Sequence, residues 1–494
     1  MVRSTVSHVL LAASLIGVGF AALAVGCTKS TSAPGCGAGL SVSNGCAGVP
    51  QASVCDSDAC SEGVSCASTV TAHDDATLAA AVNTATAGAC IVITPGTYGT
   101  VSLPGGVSLL GKGATSVTVQ AVVMQAGLGA VLRGLTVGSG GIAILSAVTG
   151  ARIESVLVKN TVGSGITLGA GTEVTIVTTT VDHAGAAAGD AGYGIVSSGS
   201  GKLTLDRVHV DAPSGPGIWV QACNDGCTCA GSAVMHAHGI IIEGAELVAM
   251  ALAGVDATLD DVKIDKTVPF HKDGQQGGGL AAFQCTKVTA TNLRATSNMY
   301  YGVLVDHASG SIGGEAAAAS EISNNGVHGL FIQNVGKMPN GDPQEFKVTG
   351  AKLVGNSGVA IGLHASFGII IEGCEATGTQ QKSLPVLIAN QNPGVANVGD
   401  GLSWTGGTTA TIKSLVLDGN ARTGGMIAGQ WGDGSSANLT VKKPGLLGGI
   451  IIEGIPLDGA SMPGMDNVPA SLVSRDASFT QPFARGPSAP LPFK

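Results

Sequence analysis

Residues 130–137 read AVLRGLTV, and the same texture returns at 151–158 (ARIESVLV), 174–181 (VTIVTTTV) and 203–210 (LTLDRVHV). Positions 1, 3, 6 and 8 of each window are apolar or small: Ala130/Leu132/Leu135/Val137, Ala151/Ile153/Val156/Val158, Val174/Ile176/Thr179/Val181 and Leu203/Leu205/Val208/Val210. Strand side chains alternate faces, so two inward residues, a corner and two more inward residues give this spacing. The template recurs at Ala257/Leu259/Val262/Ile264, Val288/Ala290/Leu293/Ala295, Val348/Gly350/Leu353/Gly355 and Ala410/Ile412/Leu415/Leu417. A short strand opened by Gly follows many windows, as in 141–144 (GIAI), 165–168 (GITL), 217–220 (GIWV), 302–305 (GVLV), 329–332 (GLFI) and 358–361 (GVAI). Strand repeats of roughly 20–30 residues without helical periodicity mean a solenoid. The string GIIIEG occurs at 239–244, 368–373 and 449–454. It reads as one strand-and-corner solution reused by duplication, with the first copy assigned to another face because it lies close to the next window.

Composition agrees. Of 494 residues 77 are Gly, 3% are aromatic and 12% charged, against about 7% Gly and 25% charged in ordinary domains. Corners need positive φ, and a narrow coil interior favours Ala, Val, Ile and Leu. The net charge of −9 supplies no basic footprint, which sets nucleic acid aside. A hydrophobic content of 44% excludes general disorder, and Gly without a three-residue period excludes collagen.

Upstream of the windows, Asp74-Asp75 can cap a short helix with Leu78, Val82 and Ala85 on one side, followed by residues 88–98 (GACIVITPGTY). This helix, small-residue turn, apolar strand and P-G-T-Y entry resembles the N-terminal end of the pectate-lyase-like superfamily. The resemblance implies an all-β, right-handed parallel β-helix with the helix closing its open end; the repeating windows count roughly 10–13 turns, about 50–60 Å at one strand spacing per turn. The divisions are 1–26 signal peptide, 27–72 Cys-rich tether, 73–455 β-helix and 456–494 Pro-rich tail. The tail either covers the coil or stays free of it.

Arg3 followed by the apolar run Val9–Val25 suits an export signal. Its end, Leu23-Ala24-Val25-Gly26-Cys27, resembles the bacterial lipobox, which implies lipid attachment at Cys27 and, with Thr28 next, placement at the outer membrane. The alternative is a cleaved, freely secreted chain. Six Cys between Cys36 and Cys90 read as disulfide-stapled in an oxidising compartment, with pairing open. Cys223, Cys227, Cys229, Cys285 and Cys374 make eleven, so one thiol is left over if Cys27 carries lipid.

Many members of the superfamily act on or bind acidic polysaccharides, while others are adhesins or rods. The polygalacturonase catalytic set is missing: Asp260-Asp261 stands without its partners, and residues 326–329 (GVHG) and 236–239 (HAHG) are imperfect echoes. Position 7 of the windows faces solvent and holds Thr180, His209, Lys263 and Arg294; position 9 holds Lys159, Asp182, Asp211, Asp265 and Thr296. A lyase needs a base beside a carboxylate and cations to neutralise the anion formed. His209, Asp211, Lys263, Asp265 and Arg294 are therefore the catalytic candidates, with Asp211 and Asp265 the calcium candidates. Otherwise these columns are solvated ion-pair ladders. No further cofactor is implied. Trp219, outward between Ile218 and Val220, is the candidate for stacking on a sugar, or else packs beneath a loop. The loops carrying Cys223–Cys229 and His271-Lys272-Asp273 are expected to line one groove. The resulting expectation is a lipid-anchored envelope β-helix that binds polysaccharide; the alternatives are a polysaccharide lyase or hydrolase, and a structural or adhesive rod.

Overall fold

The computed structural model describes residues 63–185, 191–222, 233–272, 274, 276–313, 319–336, 344–388, 392–429, 432, 434–454, 464–476, 481, 483–484 and 487. Cys27, the Cys36–Cys60 cluster, Cys223, Cys227, Cys229 and Asp273 lie outside them.

Three parallel faces wind into one coil. Face A stacks Val174, Leu203, Met235, Ala257 and Val288. Face B stacks Val158, Val181, Val210, Ile242, Ile264 and Ala295. Face C stacks Ile166, Ile195, Ile218, Met250, Leu280, Val303 and Leu330. These inward columns form one continuous buried core. The parallel β-helix is thus set by strand registers, and face C carries fifteen successive strands, more than the expected turns.

Corners repeat as strictly as strands. Between faces A and B the left-handed conformation recurs at Thr178, Arg207, Asp261 and Asn292 (φ 48, 53, 53 and 52°), and between B and C at His183, Ala212, Lys266 and Ser297 (φ 50, 43, 56 and 56°). Gly239 and Gly244, both at φ 63°, fill the same two corners on their rung without the steric cost that an L-residue meets there.

Two windows shift. Phe346 and Val348, not Val348 and Gly350, pair inward with Ile369 and Ile371; Gly350 and Gly355 are corner residues with φ near +63°. The three GIIIEG copies are not a duplicated turn. Ile240 and Ile242 sit on face B beside Val262 and Ile264, Ile369 and Ile371 on face A, and Ile450 and Ile452 on face C. Two inward Ile ending at a Gly corner form a local unit that any face accepts. The first copy is the second half of a regular window, Met235/Ala237/Ile240/Ile242, and adds a rung of its own.

The N-terminal end is closed by α1 (Asp75–Thr84), whose Asp74 side chain accepts from Thr77 N at 2.7 Å in a capping box and which buries Leu78 and Ala81. The sheet takes in Ser68–Ala72 ahead of this helix, paired with Ala89–Ile93, and Cys66–Cys90 ties the same two segments together. Cys285 is also disulfide-bonded, and Cys374 is a buried free thiol, pushed up in pKa by burial.

The C-terminal segment packs on the coil. Val473–Asp476 adds to face C beside Gly448–Glu453. Gln481 N then donates to both Glu453 oxygens, at 3.0 and 2.8 Å, and Phe483–Ala484 pairs antiparallel with Lys382–Ile388. Gln333 Nε2 donates to the Pro487 carbonyl at 3.0 Å and to Asp306 at 3.0 Å. Gln481 and Pro487 thus contact residues that lie four rungs apart in the coil, Glu453 and Gln333.

Candidate functional site

The two outward columns on face B form in the order that the windows imply. Thr180 lies beside His209, Lys263 beside Arg294, Asp182 beside Asp211, and Asp265 beside Thr296. The GIIIEG rung enters between them: Ile241 separates His209 from Lys263, and Glu243 separates Asp211 from Asp265. Asp211 and Asp265 are consequently two strand spacings apart, about 9–10 Å, too far to share one Ca²⁺ whose ligands lie at about 2.3–2.6 Å. That calcium pair is corrected by the structure.

Glu243 is the member that the sequence reading missed. Its Oε1 takes Lys263 Nζ at 2.7 Å, and its Oε2 lies 3.9 Å from His209 Nε2. Asp265, 8% exposed, is held by Thr296 Oγ1 at 2.8 Å, Lys266 Nζ at 3.4 Å and Lys263 Nζ at 4.0 Å. Arg294 stands between Lys263 and Glu321. His183 Nδ1 is bonded to Asp182. Lys263, the best-placed cation, is thus committed to a carboxylate. Two polar atoms in the tract are buried without a hydrogen bond: Thr180 Oγ1, on a residue 1% exposed, and His209 Nε2.

Trp219 points outward from the coil, as read, but it is 2% exposed. It lies in a second apolar layer over face C with Val196, Ala251, Ala281, Leu304 and Phe331, and meets Tyr193 and Phe283 edge-on at 6.1 and 6.2 Å. No ring face is left for a sugar, which corrects the stacking expectation. The outward residues of successive face C strands are apolar in 217–220, 302–305 and 329–332 alike, and that was the signal for this layer. Of the two loops expected to share a groove, residues 223–232 and Asp273 lie outside the described residues, and His271 and Lys272 lie between Val255–Asp265 on face B and Gly278–Phe283 on face C.

Among the described residues, face A also carries an open polar surface. Its middle outward column runs Arg152, Thr175, Thr204, His236, Thr258, Thr289 and Ser311 in register. One flank holds Glu173, Lys202, Val234, Asp256 and Lys287, the other Asp206, His238, Asp260 and Thr291. His236, Thr258 and Thr289 are exposed. On the flank, His238 Nδ1 meets Asp260 at 3.0 Å and Thr291 Oγ1 donates to Asp260 at 2.6 Å.

At the C–A corner, burial works against the charge of Asp306, but bonds with His307 Nδ1 (2.7 Å), Asn334 Nδ2 (2.9 Å) and Gln333 Nε2 (3.0 Å) hold its carboxyl below the usual carboxylate range. This network anchors Pro487. Among the described residues no helix is long and apolar enough to cross a membrane.

No family model and no curated protein matches the chain. Solved structures similar to it include ORF18 of Geobacillus virus E2, 12% identical over 52% of this chain and 60% of that one, with a TM-score of 0.30. The catalytic domain of a GH87 alpha-1,3-glucanase in complex with tetrasaccharides is 13% identical over 79% of this chain and 69% of that one, at 0.37. The surface protein and adhesin PfbA of Streptococcus pneumoniae is 11% identical over 77% and 94%, at 0.35. The fold assignment rests on the strand registers, not on these likenesses.

Proposed function

We propose that the chain is a lipid-anchored cell-envelope protein, at the outer membrane, that binds polysaccharide along the outside of face A. The observation that carries this reading is the in-register column from Thr175 to Ser311, which sets one polar side chain per rung between two flanks that carry most of the charges nearby. Hydroxyls and imidazoles both donate and accept, as sugar hydroxyls do. The column repeats at about 4.8 Å, so a chain of sugars laid along it meets the same contact again and again. With Trp219 covered, affinity comes from many weak polar contacts held simultaneously. The lyase or hydrolase reading is not favoured, because Lys263 is spent on Glu243.

The test is retention of the full-length protein on immobilised acidic and neutral polysaccharides, with and without Ca²⁺. The triple variant Thr204→Val, Thr258→Val, Thr289→Val keeps β-branched side chains and removes three hydroxyls; retention should weaken at least about tenfold, which is about 1.4 kcal/mol. Unchanged retention rejects face A. New reducing or unsaturated ends would replace the binder with an enzyme, and no retention on any polysaccharide would leave the rod.

Cysteine parity supports the anchor. With Cys374 buried and free, setting Cys27 aside leaves an even ten of the twelve Cys for disulfides. Cells fed labelled palmitate should label the wild-type protein in the membrane fraction, and Cys27→Ala should abolish the label. An unlabelled wild type removes the anchor and leaves a secreted chain.

A further inference from the structure

We propose that His209, Asp211 and Glu243 on face B form a binding site for a divalent transition ion of the zinc type. One ligand atom from each of the three lies within 4.8 Å of the others. Three adjacent polar groups are common on a strand face, so the inference rests on what surrounds them. The His209 Nε2 atom is buried with no hydrogen bond, and its nearest carboxylate oxygen, Glu243 Oε2, stands off at 3.9 Å. Thr180, in register beside His209 and outward on the same face, is 1% exposed with its Oγ1 also unpartnered. A buried imidazole nitrogen left unbonded calls for a partner, because buried polar groups in folded proteins are almost always bonded. An ion held by His209 Nε2, the Asp211 carboxylate and Glu243 Oε2 satisfies the imidazole.

The donor set selects the metal. An imidazole nitrogen suits zinc and its neighbours, whereas Ca²⁺ takes six to eight oxygens. Lys263 Nζ, bonded to Glu243 Oε1 at 2.7 Å, acts as an outer partner that turns Oε2 toward His209, the kind of support that metal-binding side chains receive. In each of the two other groupings an imidazole nitrogen already bonds a carboxylate of the same group. His238 Nδ1 and Thr291 already occupy Asp260, and Asn292 Nδ2 occupies Asp261 at 2.7 Å. His183 Nδ1 is taken by Asp182. The proposal does not depend on glycan binding, which lies on another face.

Full-length protein, stripped with a chelator and dialysed, is titrated with ZnCl₂ by calorimetry and with CoCl₂ by visible absorption. One ion per chain is expected, retained against a hundredfold excess of Ca²⁺, with a Co²⁺ band that reports nitrogen and oxygen ligands. His209→Gln and Asp211→Asn should each weaken zinc binding at least about tenfold, while melting in chelator stays near wild type. His238→Ala should bind zinc as the wild type does. The proposal is overturned if the wild type takes up no zinc, if both ligand variants bind it unchanged, or if Ca²⁺ displaces it.

Discussion

Arg422→Met should destabilise the protein by about 3–5 kcal/mol, and the loss should deepen as pH rises. Asp400 and Arg422 are buried, with side chains 0% and 4% exposed, and the guanidinium grips both carboxylate oxygens, Nε reaching Oδ1 at 2.7 Å. A buried ion pair is not strong evidence for stability in itself, but removing one partner strands a charge in low dielectric, at about 3–5 kcal/mol. Burial already pushes the Asp400 carboxyl above the usual carboxylate range, and Arg422 opposes that push. Without Arg422 the native pKa climbs further above the unfolded value. Between the two values the native state holds a proton that the unfolded state has released. The variant's stability is therefore fullest below the unfolded pKa and is lost as pH rises through the folded one. Urea midpoints at pH 5 and pH 8 read this directly: the gap to wild type should be wider at pH 8. An equal gap at both, or a loss under about 1 kcal/mol, would show that Asp400 finds another partner. The double variant Asp400→Leu, Arg422→Met should recover most of the loss, since an apolar pair of similar volume can replace a buried ion pair.

The coil was legible because its information is local. Alternation within a window fixes which side chains face inward, and one equivalent pair per rung then fixes the rest, so Thr180–His209, Asp182–Asp211, Lys263–Arg294 and Asp265–Thr296 could be placed side by side from spacing alone. The same locality explains the failures. GIIIEG satisfies the alternation wherever it sits, so the string cannot say which face it serves; only the outward His236 and His238, preceding Ile240 at window spacing, mark the Met235 rung. Misplacing that rung removed Glu243 from the column and brought Asp211 and Asp265 falsely together. Trp219 failed differently. Its orientation follows from its own strand, but its burial depends on residues of other rungs, Ala251 through Phe331, which no single window contains. The strand Ser68–Ala72 and the returning C-terminal segment carry too few alternating residues to announce themselves, and their places are set by what they pair with.

Asn325→Leu should cost at least about 3 kcal/mol, more than its single small side chain suggests. Asn298, Asn325 and Asn356 stack inside the B–C corner, each no more than 1% exposed. Asn325 Oδ1 accepts from Asn298 N at 3.1 Å and from Asn298 Nδ2 at 2.9 Å; its Nδ2 donates to Asn356 Oδ1 at 2.9 Å and to Ala295 O at 3.0 Å. The ladder thus lends side-chain partners to backbone groups that a tight corner leaves without strand partners. Leucine fills similar space, so the loss is polar rather than steric: both Asn298 donors and the Ala295 carbonyl are stranded at about 1–3 kcal/mol each. Each rung touches only its neighbours, so the damage should be local before it is global. Amide exchange should quicken from about residue 295 to 360 while Ile142–Ile144, many rungs away, keeps its protection; a urea midpoint within about 1 kcal/mol of wild type would mean that water enters the corner and replaces the amide. The exposed Asn160, at φ 52° on an equivalent corner, separates the two roles of this residue type. There Asn serves only the left-handed backbone, and Asn160→Gly should be close to neutral, whereas Asn325→Gly should be as damaging as leucine.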